Sequence, residues 1–172
     1  MTEDIILVDK NDREVGVGEK MRVHQEGKLH RAFSVFIFNP KGELLLQQRQ
    51  KTKYHCPGLW SNTCCSHPRP GETSKEAARR RLKEEMGFDC QLAESHQFIY
   101  RAEFNNGLTE YEYDHVFVGK FDNEPNPNPD EVAGWKWISI DNLKEDISKN
   151  PEKYTPWFKI IVAKLKRSKR LI

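Results

Sequence analysis

The stretch GETSKEAARRRLKEEMGF, Gly71 to Phe88, decides the fold. Thr73-Ser74-Lys75-Glu76 is a capping box: the Thr73 side chain serves as N-cap acceptor, and Glu76 reaches back to the start of the helix. Ala78, Leu82 and Met86 repeat at a spacing of four, which predicts a helix with one buried apolar stripe. Gly87 suits the left-handed residue that closes such a helix. Arg81 and Glu85 lie four apart on a face that borders the stripe. Taken alone, they read as a surface ion pair worth well under about 1 kcal/mol.

On either side of this helix the chain reads as strands. DIILVD is a first strand. RAFSVFIFNPKGELLLQQRQ reads as two strands joined by a Pro-Lys-Gly turn, a hairpin. LWSNTCC is a short strand or extended segment. HQFIYRAEF and LTEYEYDHVFVGKF flank Asn-Asn-Gly, a strong hairpin turn. NEPNPNPDE is a Pro/Asn loop, and GWKWISI is another strand. Asp141 is placed as the cap of a short helix, and Thr155-Pro156 opens the last one, with proline in its first turn. The order predicts an α+β fold, a mixed sheet with helices on its faces. With 172 residues, the chain is expected to form one domain over residues 1–172.

Charged residues make up 31% of the chain and the net charge is +2, so the surface is wet and no basic excess points to nucleic acid. The longest apolar runs, such as FSVFIF, are too short to span a membrane. MTEDIILVDK is acidic rather than basic and does not read as a signal peptide. A cytoplasmic protein is expected, a monomer or weak dimer. The basic ending KLKRSKR reads as a solvated helix end whose cations suit the helix dipole. Of the four cysteines, Cys56, Cys64 and Cys90 read as small hydrophobes.

The chemistry-bearing residues fall in separate segments. Six histidines are present. His24 and His30 flank a glycine-containing loop, and His67 follows the Cys64-Cys65 pair in NTCCSHPRPGE. Glu110 and Glu112 share one strand face because side chains repeat every two residues. Together, three histidines and two carboxylates would suit an octahedral Mn²⁺, Mg²⁺, Fe²⁺ or Zn²⁺ ion, and the residue types do not choose among these. His55, His96 and His115 carry no functional assignment. Tyr100 and Trp157, alone, read as packing aromatics, and Arg49 and Lys53 as a solvated loop.

The helix and the loop before it resemble the Nudix box, G-x5-E-x7-R-E-U-x-E-E-x-G-U with U a large aliphatic residue. The matching positions are Ser66, Glu72, Arg80, Arg81, Leu82, Glu84, Glu85, Gly87 and Phe88. The resemblance implies a Nudix-like mixed β-sheet core flanked by helices. Ser66 departs from the first glycine, and Arg81 from the glutamate of R-E-U. An arginine there exchanges an anionic metal ligand for a phosphate-binding cation, so the site looks built to hold a diphosphate rather than to cut it.

KMRVHQEGKLHRAFSVFIF, LWSNTCCSHP, YRAEFNNGLTEYE and the Pro-Trp of the last helix resemble the type I isopentenyl-diphosphate isomerases, a Nudix branch, over about Lys20 to Trp157. The resemblance implies reversible conversion of isopentenyl to dimethylallyl diphosphate through a tertiary carbocation, feeding isoprenoid biosynthesis. It implies catalytic roles for Cys65 and Glu112, with Tyr100 assisting. It assigns His24, His30, His67, Glu110 and Glu112 to one divalent metal (Mn²⁺, Mg²⁺ or Zn²⁺) and Glu85 to the Mg²⁺ that accompanies the substrate. It places Lys20, Arg49, Lys53 and Arg81 on the diphosphate and Trp157 beside the hydrocarbon. The Met1–Glu19 segment is expected to close over the substrate. The alternatives are a Nudix hydrolase of a diphosphate, which Arg81 argues against, and a metal-stabilised binding module without turnover.

Overall fold

The helix read from the sequence runs Ser74–Met86 (α2) in a computed structural model that describes residues 3–53 and 55–165. Its capping box forms in full: Thr73 Oγ1 accepts from the Glu76 amide at 3.2 Å, and Glu76 Oε2 accepts from the Thr73 amide at 3.0 Å. Ala78, Leu82 and Met86 are completely buried. They pack on Phe33, Val35 and Ile37 of β3 (His30–Phe38), Leu45 of β4 (Leu44–Arg49) and Phe117 of β8 (Thr109–Lys120). Gly87 ends the helix at φ 77°. A Cβ there would overlap the backbone carbonyl of Asn126, in the Pro/Asn loop that folds back onto the helix end. The Asn126 and Asn128 amides donate to the Met86 and Glu85 carbonyls, so this loop finishes the helix. Gly87→Ala therefore meets both a left-handed backbone and a clash. It is expected to cost about 3 kcal/mol, or roughly 10 °C in Tm for a chain of this size, measurable by thermal denaturation.

Strand β3 is the centre of the sheet. It runs parallel to β8 from His30↔Glu112 to Phe38↔Lys120. The long hairpin forms as expected: β7 (Leu92–Glu103) pairs antiparallel with β8 around the Asn105-Asn106-Gly107 turn. The other expected hairpin forms only at its turn. β3 and β4 meet at Phe38↔Leu44 and then part. The reason is competition for an edge. β6 (Cys64–Ser66) takes the side of β3 that β4 would use, pairing Phe33↔Ser66, Ser34↔Cys65 and Val35↔Cys64. β4 instead pairs with β5 (Trp60–Ser61) and with β9 (Val132–Ile138). Thr63 stitches the gap, its hydroxyl accepting from the Ile37 amide at 3.0 Å and donating to the Leu45 carbonyl at 2.6 Å. The NTCC stretch is thus the wedge that splits β3 from β4.

Five further elements surround this core. β1 (Asp4–Val8) pairs with β2 (Glu14–Glu19), and β2 leads into α1 (Lys20–Glu26), capped by the Glu19 carboxylate and closed by Gly27 at φ 61°. β2 and α1 escape the sequence reading: β2 is a polar, glycine-containing strand with Val15 and Val17 exposed, and α1 has only two turns. Helix α3 (Ile140–Lys149) is capped by Ser139, whose hydroxyl accepts from the Asn142 amide at 3.3 Å. Asp141 is therefore corrected from cap to first-turn residue, where its charge still suits the dipole. α4 (Pro156–Leu165) buries Trp157, Phe158, Ile161 and Val162 against Phe36, Leu44, Leu46, Tyr100 and Val116, on the sheet face opposite α2. The expected α+β mixed sheet with helices on its faces is what forms. Lys166 to Arg170 of the basic ending lie outside the described residues. No described helix is long and apolar enough to cross a membrane.

Candidate active site

Four elements converge on one cluster. α1 carries His24, β3 starts at His30, His67 follows β6, and β8 presents Glu110 and Glu112 from one face. One donor atom from each of the five lies within 4.8 Å of all the others, and all five side chains are buried. His24 Nδ1 donates to the Lys20 carbonyl at 2.6 Å and His30 Nδ1 to the Lys28 carbonyl at 2.8 Å. Both bonds fix the tautomer that turns an Nε2 lone pair inward. His24 Nε2 lies 3.1 Å from Glu110 Oε2, and His67 Nε2 lies 3.0 Å from Glu112 Oε1. His30 Nε2 is 0% exposed and has no hydrogen-bond partner, standing 3.9 Å from Glu110 Oε2 and 3.7 Å from Glu112 Oε1. A buried nitrogen left short of two carboxylates is what a site shaped for a divalent cation presents.

The electrostatics agree with that donor chemistry. Burial drives the His67 ring well below its ordinary pKa, against the pull of Glu112, so the ring is neutral and able to ligate. Burial opposes charge on Glu110, but the contacts with His24 and His55 outweigh it and hold the carboxyl well below the usual range. His55 is the residue the sequence did not disclose. It is 3% exposed, its Nδ1 lies 2.6 Å from Glu110 Oε1, and its ring stacks on Phe104. It sits in a loop before Pro57-Gly58, with neither strand alternation nor helical spacing to mark it. His115 pairs instead with Asp12 and Glu94 at 3.0 and 2.6 Å, pinning the β1–β2 turn away from the cluster, and His96 is half-buried beside Phe98.

Beside the cluster lies a cavity of ≈ 80 Å³ that opens to the surface. Cys65, Tyr100, Glu110, Glu112, His67, Glu85, Lys20, Arg49, Lys53, Arg81 and Trp157 all line it; His24 and His30 stand behind it in the cluster. Cys65 and Glu112 reach it from β6 and β8, which flank β3 on opposite edges, and Ser34 of β3, opposite Cys65, also lines it. Burial pushes the Cys65 thiol up to about 12, even with Arg49 nearby, so the sulfur carries its proton. The Tyr100 hydroxyl donates to Glu112 Oε2 at 2.5 Å, and burial with the Glu112 charge raises the phenol well above its usual value. Cys64 is completely buried and packs under α2.

Cations surround the mouth, and Lys20, Lys53 and Arg81 each stand beside a carboxylate. Lys20 Nζ is 2.9 Å from Glu3, and Lys53 pairs with Glu131. Arg81 reaches Glu84, Glu85 and Glu131 at 2.7, 2.6 and 3.3 Å. Glu85 also accepts from Gln47 at 2.8 Å. Arg49 donates to the His55 carbonyl at 3.0 Å, and its guanidinium carbon stands 5.3 Å from the Trp157 ring centroid. The Trp157 indole N–H donates to Ser61 at 3.0 Å, which fixes the ring.

The NUDIX domain family matches residues 28–158. The chain is 55% identical over 162 residues to isopentenyl-diphosphate Delta-isomerase 2 of Photorhabdus laumondii, covering 94% of this chain and 92% of that protein. It is 52% identical over 162 residues to isopentenyl-diphosphate Delta-isomerase of Burkholderia multivorans, with the same coverage of 94% and 92%. Among solved structures, a Deinococcus radiodurans protein superposes with a TM-score of 0.80 at 22% identity, covering 98% of this chain and 100% of its own. A MutT protein of Methanosarcina mazei superposes with a TM-score of 0.68 at 19% identity, covering 83% and 96%. These two likenesses show the fold.

Proposed function

The chain belongs to the isopentenyl-diphosphate Delta-isomerases, within the NUDIX family, and from that premise we propose that its cavity interconverts isopentenyl and dimethylallyl diphosphate by proton transfer at Cys65 and Glu112. The observation that carries the reading is that Cys65 and Glu112, two groups able to exchange protons, stand on the strands either side of β3 and line one cavity.

The reaction adds a proton to one end of an unactivated alkene and removes one from a neighbouring carbon. It needs a donor and an acceptor, and it is reversible, so each group serves as donor in one direction and acceptor in the other. Cys65 holds a thiol proton, and Tyr100 bonded to Glu112 Oε2 gives the second station a proton to exchange. The intermediate is a tertiary carbocation, which water would trap as an alcohol, so a cavity lined by buried side chains protects it. Trp157 offers an electron-rich face that is not a nucleophile, and it already takes a cation, Arg49. A carbocation held over that face gains about 2 kcal/mol when desolvated, roughly 30-fold in rate, so positioned acid–base chemistry has to supply most of the remainder.

His24, His30, His67, Glu110 and Glu112 would hold one divalent ion, Mn²⁺, Mg²⁺ or Zn²⁺, and Glu85 the Mg²⁺ carried by the diphosphate. Such ions, when bound, supply positive charge that neutralises the diphosphate and polarises the carboxylates. Lys20, Arg49, Lys53 and Arg81 bind the phosphoryl oxygens. Arg81, in the box position that hydrolases fill with glutamate, favours holding the diphosphate over cleaving it. Phosphorus NMR of the protein with Mg²⁺ and isopentenyl diphosphate tests this: the diphosphate resonances are expected to persist, and a monophosphate resonance would hand the site to hydrolysis.

The same assignment has a consequence for Glu131, which occupies Lys53 and Arg81 before the substrate arrives. Glu131→Gln removes a competing anion from a partly buried pair worth about 1 kcal/mol. KM is expected to fall roughly fivefold in steady-state kinetics; a KM that rises would contradict the placement of Lys53 and Arg81 on the diphosphate.

A further inference from the structure

We propose that His55 is a positioning residue of the metal site: it holds the outer oxygen of Glu110 so that the inner oxygen faces the three ligating histidines. This rests on reading the His/Glu cluster as a metal site. The two Glu110 oxygens are divided between different partners. Oε2 points into the cluster, 3.1 Å from His24 Nε2 and 3.9 Å from His30 Nε2. Oε1 points the other way and meets His55 Nδ1 at 2.6 Å. A glutamate carboxylate rotates almost freely about its last torsion. Without a partner on Oε1 it would swing between one-oxygen and two-oxygen contacts, and the donor would no longer be set before the ion arrives.

His55 can do this because its own ring is fixed. It stacks on Phe104 with centroids 5.2 Å apart and stands edge-on to His24 at 5.2 Å. Its backbone carbonyl is held by Arg49 Nε at 3.0 Å. His55 therefore ties the loop that carries Lys53 to the carboxylate that would hold the ion, joining the diphosphate end of the cavity to the metal end. His55 is not one of the inward-facing donors. Its Nδ1–H is committed to Glu110, so its contribution lies in orientation, and outer partners of this kind are worth 10- to 100-fold in metal affinity.

The test is Mn²⁺ binding by isothermal titration calorimetry, on full-length protein stripped with chelator, with apo Tm measured in parallel. His55→Ala is expected to weaken Mn²⁺ binding by roughly 10- to 100-fold. His55→Asn, whose side-chain amide can donate from near the Nδ1 position, is expected to restore affinity to within about threefold of the parent. Wild-type affinity in a folded His55→Ala protein would overturn the proposal. So would weak binding by His55→Asn with an apo Tm equal to the parent's, because an intact fold with a donor in place would then fail to position Glu110. Parent protein that binds no Mn²⁺ would overturn the metal-site reading itself, a result distinct from either.

Discussion

Cys65→Ala is expected to lower isomerisation kcat by at least about 10³-fold while leaving the fold in place. An unactivated alkene is a very weak base, so removing one proton station leaves the cycle with a donor and no acceptor, or the reverse. Positioned acid–base groups contribute about 10² to 10⁴ each, and this reaction uses the group in its most difficult step. Stability changes little by comparison. Cys65 is only partly buried, and Ala retains its Cβ in the β6–β3 pairing with Ser34, so a loss of about 1 kcal/mol or less is expected. Turnover by Cys65→Ala within tenfold of the parent would remove the thiol from the mechanism. The thiol is also expected to react slowly with iodoacetamide at neutral pH, since burial keeps it protonated and the thiolate is the nucleophile.

Glu112→Gln is expected to abolish turnover to a similar or greater degree, because one side chain holds two tasks. Oε1 faces His67 at 3.0 Å within the metal cluster, and Oε2 accepts from Tyr100 at 2.5 Å within the cavity. The amide keeps the shape but loses the charge that attracts the ion and the basicity that exchanges a proton. Its effect on the apo fold runs the opposite way. Glu110, Glu112 and Asp114 share one face of β8 and all are buried. Burial together with the Glu112 charge drives the Asp114 carboxyl well above its usual range. Removing one of these like charges relieves repulsion, so apo Tm is expected to equal or exceed the parent's, while the rise in Tm on adding metal shrinks or vanishes. Scanning fluorimetry with and without Mn²⁺ separates the two effects. A fall in apo Tm with metal stabilisation intact would mean that Glu112 is a structural residue, not a functional one.

The residues that sequence made legible are those governed by local rules. The Thr73–Glu76 box, the Ala78/Leu82/Met86 stripe and the Gly87 stop depend only on spacing within one helix, and all three form. The Asn-Asn-Gly hairpin follows from its turn, and the common face of Glu110 and Glu112 from strand parity. Competition between distant segments was not legible. β3 and β4 carry every local mark of a hairpin, yet β6 arrives from further along the chain and takes the shared edge. Ser139 prevails over Asp141 as a cap because it stands at the residue where the strand exit turns into the helix. His55 falls in the same class: its partner is 55 residues away on β8, and nothing beside it in sequence marks the meeting. Composition and spacing also leave the roles of Cys65 and Tyr100 unstated. Those came from likeness to a family, and the structure adds the geometry in which the roles become chemically sensible.

In the proposed reaction carbon-bound protons move while the diphosphate stays whole. The measurement that tests it most directly is NMR of the purified protein with Mg²⁺ and isopentenyl diphosphate in D₂O. The expected product is dimethylallyl diphosphate with deuterium bound to carbon, formed without release of phosphate. Release of phosphate or monophosphate, or unchanged isopentenyl diphosphate in a folded, metal-loaded sample, would contradict it.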